Sequence, residues 1–210
     1  MTKKELIDLQ IPEFRQDIRD QVKERWNALA KPLDGMGTFE GIFCTIGAVQ
    51  ETLTPHIRPR GLIIMCADNG IVARGVSQSG QEVTLAVAKN MGNRTSSVCR
   101  MANASQTEVL VVDIGINSDE SVPGVLDRKV ARGTRDFLTE PAMTEEEVLQ
   151  AIETGMDLVR ECKDRGIRIL ATGEMGIGNT TTSAAVIAAL LRLSAEVAAG
   201  RGAGLNDEGC

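Results

Sequence analysis

The run Gly173-Glu174-Met175-Gly176-Ile177-Gly178-Asn179-Thr180-Thr181 lies between the apolar stretch Ile167-Arg168-Ile169-Leu170-Ala171 and the helix-like Ser183-Ala184-Ala185-Val186-Ile187-Ala188-Ala189-Leu190-Leu191. No other segment constrains the fold as tightly. It reads as strand, glycine turn, helix. Glycine lets backbone approach a ligand with no Cβ in the way, and the free N–H groups of the helix's first turn then face that ligand. The natural guest is an anion, most often a phosphate, and Glu174 places a carboxylate beside it.

Two common phosphate-binding turns do not fit. A mononucleotide P-loop needs a Lys after its last glycine, where Asn179 stands, and a dinucleotide fingerprint needs G-x-G-x-x-G, whose spacing is reversed in Gly173-x-x-Gly176-x-Gly178. Neither an NTPase nor a dehydrogenase is supported. The plain alternative is a tight turn whose glycines serve packing alone, with Thr180 or Thr181 capping the helix.

With 210 residues and ordinary apolar and charged fractions, the chain can bury one sizeable core. Its formal net charge of −6 argues against nucleic acid or an anionic membrane as partner, because both need a basic excess on one face. A small phosphorylated ligand remains compatible, held locally by backbone amides. Cys44, Cys66, Cys99, Cys162 and Cys210 form no C-x-x-C pair and His56 is the sole histidine, so no metal site or disulfide framework is expected. A lone histidine after Pro55 reads as a solvated loop residue, which removes Ser-His-Asp and Cys-His machinery. Met1-Thr2-Lys3-Lys4-Glu5-Leu6 leads into polar sequence and the apolar stretches are too short to span a bilayer, so the expected location is the cytoplasm.

Along the chain, Phe14, Ile18, Val22, Trp26 and Leu29 recur at helical spacing and predict an amphipathic helix ending at Lys31-Pro32. After Asp34-Gly35-Met36-Gly37, the residues Phe39, Ile42, Phe43, Ile46 and Val49 mark a second apolar helical face. The pattern then changes. Leu62-Ile63-Ile64-Met65-Cys66 and Val109-Leu110-Val111-Val112 are short continuous apolar runs, each closed by an aspartate, as expected of buried parallel strands. Helices are predicted from Gln81 or Glu82, from Ser96 to Ala102, and from the capping box Thr144-Glu145-Glu146-Glu147 to about Arg165, stopping at Gly166. Strands alternating with helices predict a mainly parallel, three-layer α/β domain. Ligands bind beyond the carboxyl ends of such strands, so Asp68, Asp113 and the Gly173 turn are expected along one edge.

Seven motifs in order make the chain recognisable: Lys31-Pro32-Leu33-Asp34-Gly35-Met36-Gly37; Ala67-Asp68-Asn69-Gly70; Gly75-Val76-Ser77 leading to Gln81-Glu82-Val83-Thr84; Val111-Val112-Asp113-Ile114-Gly115; Pro141-Ala142-Met143-Thr144; Gly173 to Thr181; and Gly200-Arg201-Gly202-Ala203-Gly204-Leu205-Asn206-Asp207-Glu208-Gly209. In this the chain resembles the nicotinate-nucleotide:dimethylbenzimidazole phosphoribosyltransferases of cobamide lower-ligand assembly. The resemblance implies an α/β fold with a three-layer, mainly parallel sheet and helices on both faces, plus N-terminal helices forming part of a small domain. Residues 1–60 are then the helical segment, and residues 61–210 a phosphoribosyltransferase-like core that is incomplete at its C-terminus. A homodimer without cofactor or metal is implied.

The resemblance also implies a reaction. Ribose phosphate passes from nicotinate mononucleotide to a benzimidazole-type base with inversion at C1′, giving α-ribazole 5′-phosphate and nicotinate. The phosphate maps to Gly176, Ile177, Gly178, Asn179 and Thr180, with Gly202 and Gly204 as a second backbone contact near the ribose. The base pocket maps to the stretch from Ser77 to Gln81 and to Glu174 and Met175. Glu174 is the carboxylate left for a catalytic role beside the reacting nitrogen, as base or orienting group. Three departures stand out: Asn69 where the family has His, Gln78-Ser79-Gly80 in place of a Tyr-Pro, and an end at Cys210 before the segment that carries the family's catalytic-base glutamate. The expected forms are therefore a short or split enzyme, with another chain supplying the missing segment, or a non-catalytic phosphate-binding homologue.

Overall fold

In a computed structural model that describes residues 1–202, the chain divides into two compact units, Thr2–Arg58 and the stretch from Pro59 onward. The first holds α1 (Lys3–Ile7), α2 (Gln16–Asn27) and α3 (Thr38–Val49). α2 and α3 meet where Val22 is almost fully buried against Gly47; a Cβ at Gly47 would lie 2.8 Å from Val22 Cγ2. α2 ends at Asn27 rather than at Lys31-Pro32, which leaves Leu29 exposed, and Phe14 precedes its first turn.

The inward face of α3 differs from the one its apolar residues predict. Glu40, Cys44, Gly47 and Ala48 are buried, while Phe39, Ile42 and Val49 are exposed. A buried carboxylate needs partners, and Glu40 has them. Lys31 Nζ donates to Oε1 at 2.8 Å, Lys23 Nζ to Oε2 at 3.0 Å, and the Met36 N–H to Oε1 at 3.2 Å. Lys31 in the Lys31-Pro32-Leu33-Asp34-Gly35-Met36-Gly37 motif is thus an anchor for Glu40. Its hydrogen bond outweighs the opposing effect of burial and holds the Glu40 carboxyl at about 2, below the ordinary 4.5.

A depressed carboxyl pKa adds stability that is fully present above the unfolded value and lost as pH falls through the folded one. The N-terminal unit is therefore expected to lose stability between about pH 4.5 and about pH 2. Denaturation midpoints read by fluorescence of Trp26, whose ring lies 5.0 Å from that of Phe43, should fall through this window. Glu40→Gln should flatten the dependence; an equally steep fall in the variant would refute the assignment.

From Pro59 onward, β1 (Arg60–Ala67), β2 (Thr107–Gly115), β3 (Val125–Asp127) and β4 (Ile169–Met175) form one sheet in the order β3-β2-β1-β4, with every pairing parallel. Side chains alternate between its faces. On one face Ile64, Cys66, Val109 and Val111 pack with Ala88 and Met91 of α4 (Glu82–Gly92) and Cys99 and Ala102 of α5 (Ser97–Ala104). On the other, Ile63, Leu110 and Val112 pack with Leu158 and Cys162 of α6 (Glu145–Asp164). These are the three layers that alternating strands and helices predict. The Thr144–Glu147 capping box opens α6, and Gly166, at φ 79°, follows its C-cap.

β4 begins two residues later than predicted and runs on through Met175, because its parallel ladder with β1 continues to the pair Cys66↔Met175. Gly173 and Glu174 are strand residues, so the turn proper is Gly176-Ile177-Gly178. α7 (Asn179–Leu191) and α8 (Ala195–Ala198) follow. No residue of α7 is buried; Val186, Ile187, Leu190 and Leu191 are all exposed. Cys44, Cys66, Cys99 and Cys162 are free and buried, and burial pushes the Cys66 thiol up to about 12. Among the described residues no helix is long and apolar enough to cross a membrane.

Candidate phosphate-binding turn

The carboxyl ends of β1 and β4 lie side by side, and the turn after β4 rests on the residues after β1. Asn69, only 8% exposed, supports that turn. A Cβ at Gly176 would come within 2.9 Å of Asn69 Nδ2 and 2.1 Å of the Ala67 carbonyl oxygen, and one at Gly178 within 2.6 Å of Val72 Cγ2. Gly178 also sits at φ 86°, the left-handed region that L side chains rarely adopt. These two glycines are dictated by close approach and by backbone angle.

Three hydrogen bonds fix the turn from below. Asn69 Nδ2 donates to the Ile177 carbonyl at 3.1 Å, Thr182 Oγ1 donates to Asn69 Oδ1 at 2.8 Å, and the Ile177 N–H donates to Thr84 Oγ1 at 3.1 Å. Thr84 is fully buried. Within the opening of α7, the Asn179 N–H is taken by the Gly176 carbonyl at 3.1 Å and that of Thr182 by the Gly178 carbonyl at 3.2 Å. The N–H groups of Thr180 and Thr181 have no acceptor among the described residues. Gly178 is the N-cap with no side-chain cap bond, so neither Thr180 nor Thr181 caps the helix, and its first turn holds no acidic residue. Free N–H groups at the positive end of a helix dipole are what an anion requires.

Glu174 stands at the lip of this turn, where its Oε2 accepts a hydrogen bond from Asn179 Nδ2. The residue keeps exposed surface, but its carboxylate is crowded; a Cβ at Gly176 would lie 2.7 Å from Oε1. That crowding raises the Glu174 pKa, and the Asn179 bond offsets part of the rise. A carboxylate less acidic than usual is a better proton acceptor. Beside it opens a cleft of about 480 Å³ whose lining includes Val76, Asn179, Thr180, Thr181, Ile187 and Gly202. Gly202 lies close to Thr180, since a Cβ there would come within 2.9 Å of Thr180 Oγ1.

Most of the residues singled out from the sequence meet here. Glu174 and Met175 end β4, Gly176, Ile177 and Gly178 form the turn, and Asn179 and Thr180 begin α7. Gln81 reaches the same structure, its Nε2 donating to the Asn69 carbonyl at 3.0 Å. Ser77 follows the cleft residue Val76, but its Oγ accepts the Ser79 N–H at 3.3 Å, holding its own loop. Gly204 lies outside the described residues. The two aspartates expected along this edge are internal supports: Asp68 Oδ2 accepts the Asn117 N–H at 2.8 Å, and Asp113 accepts the Ile116 N–H and Lys129 Nζ, both at 2.8 Å. Residue patterns did not reveal Thr84 and Thr182, because their contacts to the turn and to Asn69 span 93 and 113 residues.

Residues 11–210 match a phosphoribosyltransferase family model, DBI_PRT. The nicotinate-nucleotide–dimethylbenzimidazole phosphoribosyltransferase of Clostridium perfringens (strain 13 / Type A) is 42% identical over 192 residues, covering 91% of this chain and 53% of the relative. The protein of the same name from Ruminiclostridium cellulolyticum is 38% identical over 209 residues, covering 100% of this chain and 59% of its own length. The crystal structure of CobT from Thermus thermophilus superposes with a TM-score of 0.86 at 36% identity, covering 92% of this chain and 58% of that one. The chain thus spans little more than half the length of the relatives it matches. With a family match over nearly its whole length, the chain belongs to the DBI_PRT phosphoribosyltransferase family.

Proposed function

We propose that this chain carries the nucleotide-phosphate half of an enzyme that moves ribose phosphate from nicotinate mononucleotide to a benzimidazole-type base, releasing nicotinate and forming α-ribazole 5′-phosphate. The observation that carries this reading is the glycine turn, followed by Thr180 and Thr181 amides that have no acceptor among the described residues, with a carboxylate at its lip. The chemistry asks mainly for positioning. As the bond from C1′ to nicotinate breaks, its electron pair returns to the pyridinium nitrogen, and charge builds on the sugar. The unprotonated azole nitrogen then bonds to C1′, and the proton on the other ring nitrogen leaves to a carboxylate. Thr180 and Thr181 N–H groups would hold the phosphate, Gly202 and Gly204 would lie along the ribose, and Glu174 would orient the azole or take its proton. Ser77, Gln81 and Met175 are assigned to the base pocket.

Two exposed apolar surfaces bear on partners. α7 shows Val186, Ile187, Leu190 and Leu191, and beside its turn β4 leaves a sheet edge unpaired among the described residues. Polypeptide equivalent to the remainder of the relatives' length is assigned to this side, either in the same chain or supplied by another. Phe39, Ile42 and Val49 on α3 are assigned to contact with a second copy in a homodimer. The free, buried thiols suit a reducing compartment, the cytoplasm. A non-catalytic homologue would bind the nucleotide and release no nicotinate when dimethylbenzimidazole is supplied.

The test removes one amide. Proline has no N–H and is tolerated in a helix's first turn, so Thr180→Pro deletes one proposed phosphate donor without breaking an internal bond. Hydrogen bonds to charged groups contribute about 1.5–3 kcal/mol, so nicotinate mononucleotide affinity, measured by calorimetry, should fall about tenfold or more. Thr180→Val, which keeps the N–H, should bind within a few-fold of the parent. Equal affinity for Thr180→Pro and Thr180→Val would remove the phosphate from this turn.

A further inference from the structure

Asn69 touches both halves of the proposed site at once. Its side-chain amide donates to the Ile177 carbonyl and accepts from Thr182, so it holds the phosphate turn to the first turns of α7. Its own carbonyl accepts from Gln81 Nε2, which fixes the side chain assigned to the base pocket. The residue is 8% exposed, and Gly176 and Gly178 are both packed against it. We propose that Asn69 is a positioning residue that locks the phosphate turn in register with Gln81, so that its amide controls nucleotide affinity without touching the nucleotide. This inference rests on the reading of the turn as a nucleotide-phosphate site.

The amide is chemically specific. One side of it must donate and the other must accept, which an amide does at any pH and a carboxylate cannot do, being acceptor only when ionised. In Asn69→Asp the carboxylate still accepts from Thr182 but faces the Ile177 carbonyl lone pairs, which pushes the turn outward. A protonated carboxyl regains one donor and one acceptor. The Asp variant is therefore defective at neutral pH and recovers as pH falls through the pKa of the new carboxyl, a dependence that a loss of packing does not produce.

The experiment titrates nicotinate mononucleotide into the full chain by calorimetry at stepped pH, with the parent measured alongside as the reference for ligand titration. The expected result is a tenfold or greater affinity loss for Asn69→Asp at pH 7.5, shrinking toward the parent's value near pH 4.5. Thr182→Val, which removes only the hydroxyl donor, should lose affinity several-fold at every pH. Parent-like affinity in both variants, or a loss in Asn69→Asp that does not change with pH, overturns the positioning role. If Asn69→Asp fails to fold, Thr182→Val decides alone: parent-like affinity refutes the role and a several-fold loss supports it. If the parent itself does not bind the nucleotide, the reading of the site fails first, and the two failures are thereby distinguished.

Discussion

Supplying the polypeptide that corresponds to the rest of the relatives' length should raise nicotinate release from nicotinate mononucleotide and dimethylbenzimidazole by about 10²–10⁴-fold over the 210-residue chain alone. That is the usual worth of a general base, the group we propose that the rest of the relatives' length supplies. The surfaces available for such a segment are the unpaired edge of β4 and the exposed side of α7. Among the described residues β4 pairs only with β1, and an unpaired sheet edge offers a ready row of backbone partners. Binding and turnover should therefore separate. The chain alone should bind the nucleotide at its turn and turn it over slowly. Equally fast turnover with and without the added polypeptide would make Glu174 sufficient as base. In that case Glu174→Gln should abolish the activity, and the rate should fall as pH drops through the raised Glu174 pKa.

Sequence carried the fold a long way where the signal was local. The apolar runs ending at Cys66 and Val112, closed by Asp68 and Asp113, are β1 and β2, and the capping box at Thr144 opens α6. The glycine turn also read correctly as strand, turn and helix, because the need for Gly at positions 176 and 178 is a local backbone requirement. Three features were not legible. β3 spans only Val125–Asp127, too short to leave a period. The inward face of α3 is set by Glu40, whose burial depends on Lys23 and Lys31 from outside its own helix. A hydrophobic count therefore chose Phe39, Ile42 and Val49 instead. Asn69 is linked to Ile177 and Thr182 across 108 and 113 residues of chain, and nothing in its neighbourhood announces that contact. Periodicity finds elements; it does not find the hydrogen bonds that tie distant elements into a site.

Gly176→Ala should be the most destabilising single-methyl substitution in the turn. Glycine to alanine ordinarily stabilises a protein by about 0.4–1 kcal/mol, because it restricts the unfolded chain, so the sign here tests the geometry. The added Cβ would lie 2.1 Å from the Ala67 carbonyl oxygen, which is backbone at the end of the central strand and cannot rotate away. Relief requires the turn to lift off β1, breaking the Asn69 bond to Ile177 and displacing the Thr180 and Thr181 amides together. Overpacking of this kind costs about 1–3 kcal/mol, or about 2–12 °C in Tm for a chain of this size. The control is Gly155→Ala within α6, where the nearest atom to the new Cβ is Met65 Cε at 4.0 Å. That change should raise Tm slightly, by the helix gain of about 0.5–1 kcal/mol. Calorimetric melting of the two variants beside the parent reads both signs, and a Gly176→Ala protein that melts no lower than the parent would mean the turn does not lie on β1. Nucleotide affinity should follow the same order, unchanged in Gly155→Ala and lost in Gly176→Ala, because the glycine that lets the turn rest on β1 also holds its amides in place for the phosphate.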